Sequence, residues 1–267
     1  MSQTPTGRPL RFPVRFAPGP APGNIAITTP RRATLLAEAE ARLAAGQGFA
    51  IATLNLDHVV KLERDADFRA AYLAQSHVVA DGNPIIWLSR MAGNEAVELV
   101  PGSELITPLS AIAARIGAPV GLFGSREETL ALAGQRLEAA HPGLRVAAAI
   151  APPMGFEPAG PEADRLLDTL AASGARLVFL ALGAPKQEIL AARGRARHPQ
   201  IGFVSIGAGL DFIAGAQNRA PVWVQRIAME WFWRMSRNPG RLARRYGECF
   251  AILPGLMTQA RRERART

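Results

Sequence analysis

A single cysteine, Cys249, rules out an internal disulfide, and four scattered histidines add no partner set for a thiolate zinc site. Nothing calls for an oxidising compartment. No apolar run reaches the roughly 18 residues of a membrane-crossing helix, and residues 1–23 have many prolines but no apolar core of a secretory signal. The expectation is a cytoplasmic protein whose residues 1–28 form a flexible, Pro-rich arm. Acidic residues are outnumbered, with 22 against 31 basic ones, for a formal net charge of +9. With 267 residues, 48% hydrophobic and 20% charged, the chain is long and apolar enough for a well-buried core.

What is present is unevenly spread. Residues 219–267 carry 11 arginines against Glu230, Glu248 and Glu263, whereas residues 1–218 carry 20 basic and 19 acidic side chains. A near-neutral body thus bears a cationic tail. Such a tail suits nucleic acid, an anionic membrane surface or a phosphorylated substrate, and composition does not choose among them.

From Thr29 the texture becomes that of a folded body. Thr29 with Pro30 reads as a helix start, and Leu35, Leu36, Ala39 and Leu43 share one helical face. Apolar runs without strict alternation follow at Phe49–Leu54, His77–Ala80, Pro119–Phe123, Leu144–Ile150, Arg176–Leu182 and Ile201–Ile206, the pattern of strands buried on both faces. Helical stretches lie between them. Ser125 and Glu128 have capping-box spacing, and Gly117 and Gly174 sit where helices should stop. The expected architecture is α/β, a Rossmann-like doubly wound, mainly parallel sheet over residues 29–218 with a C-terminal cationic helical appendage over 219–267.

In such sheets ligands bind beyond the carboxyl ends of the strands. Four strand ends are chemically loaded: Thr53-Leu-Asn55-Leu-Asp57-His58, Ala80-Asp81-Gly82, Gly183-Ala-Pro185-Lys186-Gln187-Glu188, and Gly207-Ala-Gly209 with Asp211. Asp81 is either a turn former or a general base facing the crevice. Thr53 and Asn55 point the same way in extended backbone and either line a pocket or cap the next helix. Lys186 opens a helix, where free N–H groups welcome phosphate, or is simply a helix start.

Other patterns carry less. Gly207-Ala-Gly209 lacks the third glycine of a dinucleotide fingerprint and lies at the wrong end of the sheet. Asp65-Ala-Asp67 has the acid-x-acid form of a divalent-metal site in sugar transferases, but falls in a helical stretch and reads as a solvated face. His58 and His77 lack metal-ligand spacing and read as structural. In the tail, Trp223, Trp231, Phe232 and Trp233 precede Arg234, Arg237, Arg241, Arg244 and Arg245 at helical spacing. A cationic, tryptophan-bearing amphipathic segment suits a membrane interface, and arginine forks suit diphosphate. No nucleic-acid-reading module accompanies it.

Taken in order, Thr53-x-Asn55-x-x-His58, Ala80-Asp81-Gly82, Gly183-x-Pro185-Lys186-Gln187-Glu188, Gly207-x-Gly209 with Asp211-Phe212, and Arg219-Ala-Pro221 with Glu230-Trp231-x-x-Arg234 resemble the signatures of the WecG/TagA/CpsF glycosyltransferase family over about Ile25 to Arg245. The resemblance implies an inverting, metal-independent transferase without a cofactor. Such an enzyme moves a sugar from a UDP-sugar to a polyprenyl-diphosphate-linked saccharide at the cytoplasmic face of the bacterial inner membrane, as a peripheral protein and in some cases a homo-oligomer. It places the base on Asp81, pocket residues on Thr53, Asn55 and Gln187, and diphosphate-binding arginines on Arg234, Arg241 and Arg244. Lys186, Gly207, Gly209 and Asp211 are expected beside the substrate. One departure stands out: Leu99-Val-Pro-Gly102 replaces an expected Arg-Val-x-Gly, so a pocket cation is missing. A non-catalytic scaffold docked on membrane or nucleic acid is the alternative.

Overall fold

The computed structural model describes residues 14–16, 24–217 and 239–266, with side chains at all of these except 239 and 241–243. Six strands form one sheet: β3 (Phe49–Leu54), β4 (His77–Ala80), β5 (Val120–Gly124), β6 (Val146–Ile150), β7 (Leu177–Ala181) and β8 (Gly202–Ser205), in the order β4-β3-β8-β7-β5-β6. Every pairing is parallel. β3 and β4 begin and end where the apolar runs place them, and the other four lie within two residues of expectation.

Burial on both faces explains why these runs show no alternation. Phe49, Ile51, Val79, Leu122, Phe179 and Val204 pack on one face beneath α1 (Arg32–Ala44), α5 (Gly102–Arg115), α6 (Glu127–Ala140) and α9 (Gly209–Ile213). On the other face lie α2 (Leu56–Arg64), α3 (Ala66–Leu73), α4 (Asn83–Met91), α7 (Pro161–Ala172) and α8 (Lys186–Arg197). The sheet is doubly wound as expected. The chain leaves β3 towards α2 on one face and leaves neighbouring β8 towards α9 on the other, and this divergence opens a crevice at their carboxyl ends.

The helix starts differ from the sequence reading in detail. α1 begins at Arg32 after Arg31, with no side-chain cap, so Thr29 does not cap it. Ser125 does not form a capping box: it sits at φ 61 with its hydroxyl donated to Asp211, and α6 starts after Arg126. Asp65 lies between two helices rather than on a helix face, and caps α3 by accepting from Phe68 N at 2.9 Å. Gly117 and Gly174 do follow helix ends, both at positive φ.

The described residues near both ends join the body more closely than the composition of those ends suggests. Val14–Arg15 (β1) pairs in parallel with Ile25–Ala26 (β2), and Val14, Phe16 and Ile25 are buried, so the folded part starts before Thr29. The C-terminal helix α10 (Pro239–Arg264) packs on α2 and α4 and contributes buried Cys249, Leu256 and Ala260 to the same core cluster as β1 and β2. Phe16 N donates to Glu263 Oε2 at 2.8 Å, Gln259 donates to Val14 O, and Asn94 to Phe16 O. The far half of the cationic tail is thus core on one side. Arg219, Pro221, Trp223, Glu230 to Arg234 and Arg237 lie outside the described residues.

Candidate active site

Strand pairing assembles the first part of the site. β3 and β4 run in register with Leu54 opposite Ala80, and Asp81 N donates to Leu54 O at 2.8 Å, which sets Asp81 abreast of Asn55. Gly82, at φ 92, then turns the chain into α4; a Cβ there would lie 4.0 Å from Asn55 Cβ. Asp81 is both the turn residue and a half-buried carboxylate at the crevice. The two readings of this position are therefore compatible.

Asn55 likewise serves both roles. It is the N-cap of α2, its Oδ1 accepting from His58 N at 3.1 Å, while its Nδ2 meets His58 Nε2 at 3.3 Å. An amide nitrogen only donates, so Nε2 accepts and the ring proton sits on Nδ1. From Nδ1 the line continues to Tyr72 Oη at 2.6 Å, and Tyr72 Oη donates to Thr53 O at 3.2 Å. Burial lowers the His58 pKa to about 3, outweighing Asp57, so the ring stays neutral and this polarity holds. Burial also raises the Tyr72 pKa well above its usual value, with Glu188 and Asp81 adding to the effect. Thr53, Asn55, His58 and Tyr72 form a satisfied polar floor beneath the strand ends.

The opposite wall comes from β8 and α5. A bridge joins Ala80 to Leu99, and Val100 N donates to Ala80 O at 2.8 Å, so Leu99-Val-Pro-Gly102 extends the sheet beside β4. Leu99 is 41% exposed: an apolar side chain stands where a cation was expected. Gly102 brings the start of α5 against the end of β8, since a Cβ there would meet Ser205 O at 2.6 Å and Thr53 Cγ2 at 3.3 Å. Gly209 is as tightly placed, with Ser103 Cα 3.2 Å from its own missing Cβ. Gly207, at φ 56, turns between β8 and α9, and its N–H donates to Gln187 Oε1 at 3.0 Å.

Gln187 is buried and its Nε2 donates to Glu188 Oε1 at 2.8 Å. Lys186 turns to the loop after β6, donating to Phe156 O with Glu157 at 3.9 Å, so its ammonium is engaged there. Asp211 accepts from Ser125 Oγ at 2.7 Å and from Gln217 at 2.8 Å, tying α9 to the end of β5. The structure therefore gathers Thr53, Asn55, Asp81, Gln187, Gly207 and Gly209 around one crevice and gives Lys186 and Asp211 bracing contacts.

Arginines of α10 form a rim along α2, beside the crevice rather than within it. Arg245 Nε lies 2.9 Å from Asp57 Oδ1, and Lys61, also on Asp57 at 2.9 Å, donates to Ala184 O in the loop before Pro185. Arg244 and Arg64 both pair with Glu248. These groups line a cavity of about 820 Å³ between α2, the Pro185 loop and α10. Arg241 belongs to α10 but its side chain, like all of Arg234, lies outside what is described. Sequence reasoning missed Tyr72, Glu188 as an amide holder, and Arg245 with Asp57 as the latch of α10. Glu188, Asp57 and Arg245 stand within quoted stretches and Tyr72 in none, but only the packing shows their partners. Among the described residues no group of three or more His, Cys, Asp or Glu is arranged to hold a metal ion, and no helix is long and apolar enough to cross a membrane.

Residues 22–267 match the family described as Glycosyl transferase WecG/TagA/CpsF family. The chain is also similar to the N-acetylglucosaminyldiphosphoundecaprenol N-acetyl-beta-D-mannosaminyltransferase of Bacillus subtilis (strain 168), 25% identical over 199 residues that cover 74% of this chain and 75% of that protein.

Proposed function

Since this chain belongs to the WecG/TagA/CpsF family of glycosyltransferases, we propose that it transfers an N-acetylmannosamine-type sugar, its uronate or a glucose-type sugar from a UDP donor to a polyprenyl-diphosphate-linked saccharide. The relative from Bacillus subtilis bears the name of an N-acetylmannosaminyltransferase acting on a diphosphoundecaprenol-linked acceptor, which supports this sugar and acceptor class. The observation that carries the reading is the placement of Asp81 beside Asn55 at the switch-point crevice.

In this reading Asp81 takes the proton of the acceptor hydroxyl as its oxygen attacks the anomeric carbon, and the bond from that carbon to UDP breaks with inversion. The departing diphosphate needs positive charge. Arg244 and Arg245 on the rim, with the tail arginines Arg234 and Arg241, supply it in place of a metal. The acceptor is lipid-linked, so the protein works as a peripheral protein on the inner membrane. The exposed side of α10 supports this, presenting Phe250 at 50% exposure and Met257 at 36% among Arg244, Arg261 and Arg262.

The test is UDP release over a panel of UDP-sugars, with EDTA present, with and without a polyprenyl-diphosphate-saccharide in liposomes. Release from one donor that requires the lipid acceptor and survives EDTA is the expected result. Release without the acceptor, or its loss with the chelator, contradicts the reading.

A further inference from the structure

Among the buried polar groups to which the proposed chemistry gives no task, Glu188 is the most costly. Its side chain is fully buried in the first turn of α8, and its Oε2 has no hydrogen-bond partner. Burial raises its pKa to about 7, although Gln187 and the Lys61 ammonium of α2 pull it down. Tyr72 of α3 is near enough to sense its charge, and Gln75 Nε2 occupies its backbone oxygen at 3.1 Å. A leucine or methionine fills similar space without desolvating a carboxyl.

What Glu188 provides is an acceptor for Gln187. Its Oε1 accepts a hydrogen bond from Gln187 Nε2 at 2.8 Å, and the far end of the same amide, Gln187 Oε1, accepts from Gly207 N at 3.0 Å. The two ends of an amide are nearly the same shape, so chemistry alone orients them. Turned over, the amide would set NH₂ against the Gly207 N–H and leave both donors buried without acceptors. The carboxyl on one side and the backbone N–H on the other therefore specify one arrangement. Its output is a fixed Gly207 turn between β8 and α9, at the mouth of the crevice.

We propose that Glu188 is a positioning residue that acts through Gln187 to hold the Gly207 turn in the conformation that receives the donor. The functional half of this claim rests on the transferase reading. The hydrogen-bond half is read without substrate, from exchange of the Gly207 amide followed by NMR in wild type, E188Q and E188L, with E188M in place of E188L if that variant does not fold. E188Q keeps an acceptor oxygen at the same place; E188L and E188M remove it.

Gly207 protection is expected to drop by about tenfold or more in E188L, the loss of one buried hydrogen-bond link, and to be restored in E188Q. UDP release should follow it, lowered in kcat by about tenfold in E188L and rescued in E188Q. Equal protection of Gly207 in all three proteins overturns the proposal, as does loss in both variants alike. Normal turnover in E188L with an unprotected Gly207 also overturns it. A wild type that releases no UDP while Gly207 follows the expected pattern refutes the transferase reading and leaves the positioning of the turn standing.

Discussion

The floor of the crevice and its arginine rim hold their polar groups in opposite ways. On the floor, half-buried Asn55 leads through hydrogen bonds to buried His58, Tyr72 and Thr53 O, and beside it buried Glu188 and Gln187 hold the Gly207 N–H. On the rim, Arg244 is 88% exposed and Arg64 63% exposed, and they share Glu248. Buried, satisfied networks hold geometry, whereas exposed ion pairs contribute little to stability and are screened by salt. In the proposed reaction the floor would place atoms, and the rim would offer charge that changes partners when a diphosphate arrives.

That contrast can be broken by experiment. The largest effect is expected at the floor's carboxylate: Asp81→Asn should lower turnover by about 10³-fold, the scale of a lost general base. Next is the hidden half of the tail. Leu256 is fully buried, so Leu256→Ala should cost about 3 kcal/mol in denaturant unfolding. A fully detachable appendage would show almost no change. Deleting the tail is for the same reason a poor test of catalysis, because it uncovers the core around Cys249, Leu256 and Ala260.

Glu188 sharpens the comparison through pH. Its folded pKa, about 7, lies above the ordinary glutamate value, so the neutral carboxyl is favoured in the fold. The associated stability is fully present below about pH 4.5 and is lost as pH rises through 7, a total of about 3 kcal/mol. Unfolding free energies of wild type and Glu188→Gln should thus diverge over this window, with the variant gaining on the wild type. Parallel curves would contradict a buried, titrating carboxyl. The smallest effect belongs to the rim: Arg244→Gln should shift stability by less than about 1 kcal/mol. Its signature is a kcat for UDP release lowered by about tenfold, the difference from wild type fading as salt increases.

The fold was plain in the residues because strands buried on both faces write themselves as continuous apolar runs, and β3 and β4 match theirs end for end. The crevice was legible for the same reason, since polar residues directly after such runs have nowhere else to be. What stayed hidden depends on partners distant in sequence. Ser125 looks like a cap until Asp211 takes its hydroxyl. Lys186 reads as a phosphate ligand or a helix start, and its bond to the Phe156 carbonyl is invisible in the sequence. The N-terminal prolines suggest a loose arm, yet Val14 and Phe16 bury themselves against α10, some 245 residues away. Composition averages over α10, and only packing separates its buried stripe from its cationic one.

The central claim is that the floor performs the chemistry and the rim holds the charge. It is tested most directly by kcat and KM for UDP release by Asp81→Asn and Arg244→Gln, side by side, on liposomes carrying the lipid-linked acceptor, together with UDP affinity. The account predicts that Asp81→Asn loses kcat at every salt concentration while binding UDP as the wild type does, and that Arg244→Gln loses kcat by a smaller factor that fades as salt increases. Wild-type turnover in Asp81→Asn would contradict it.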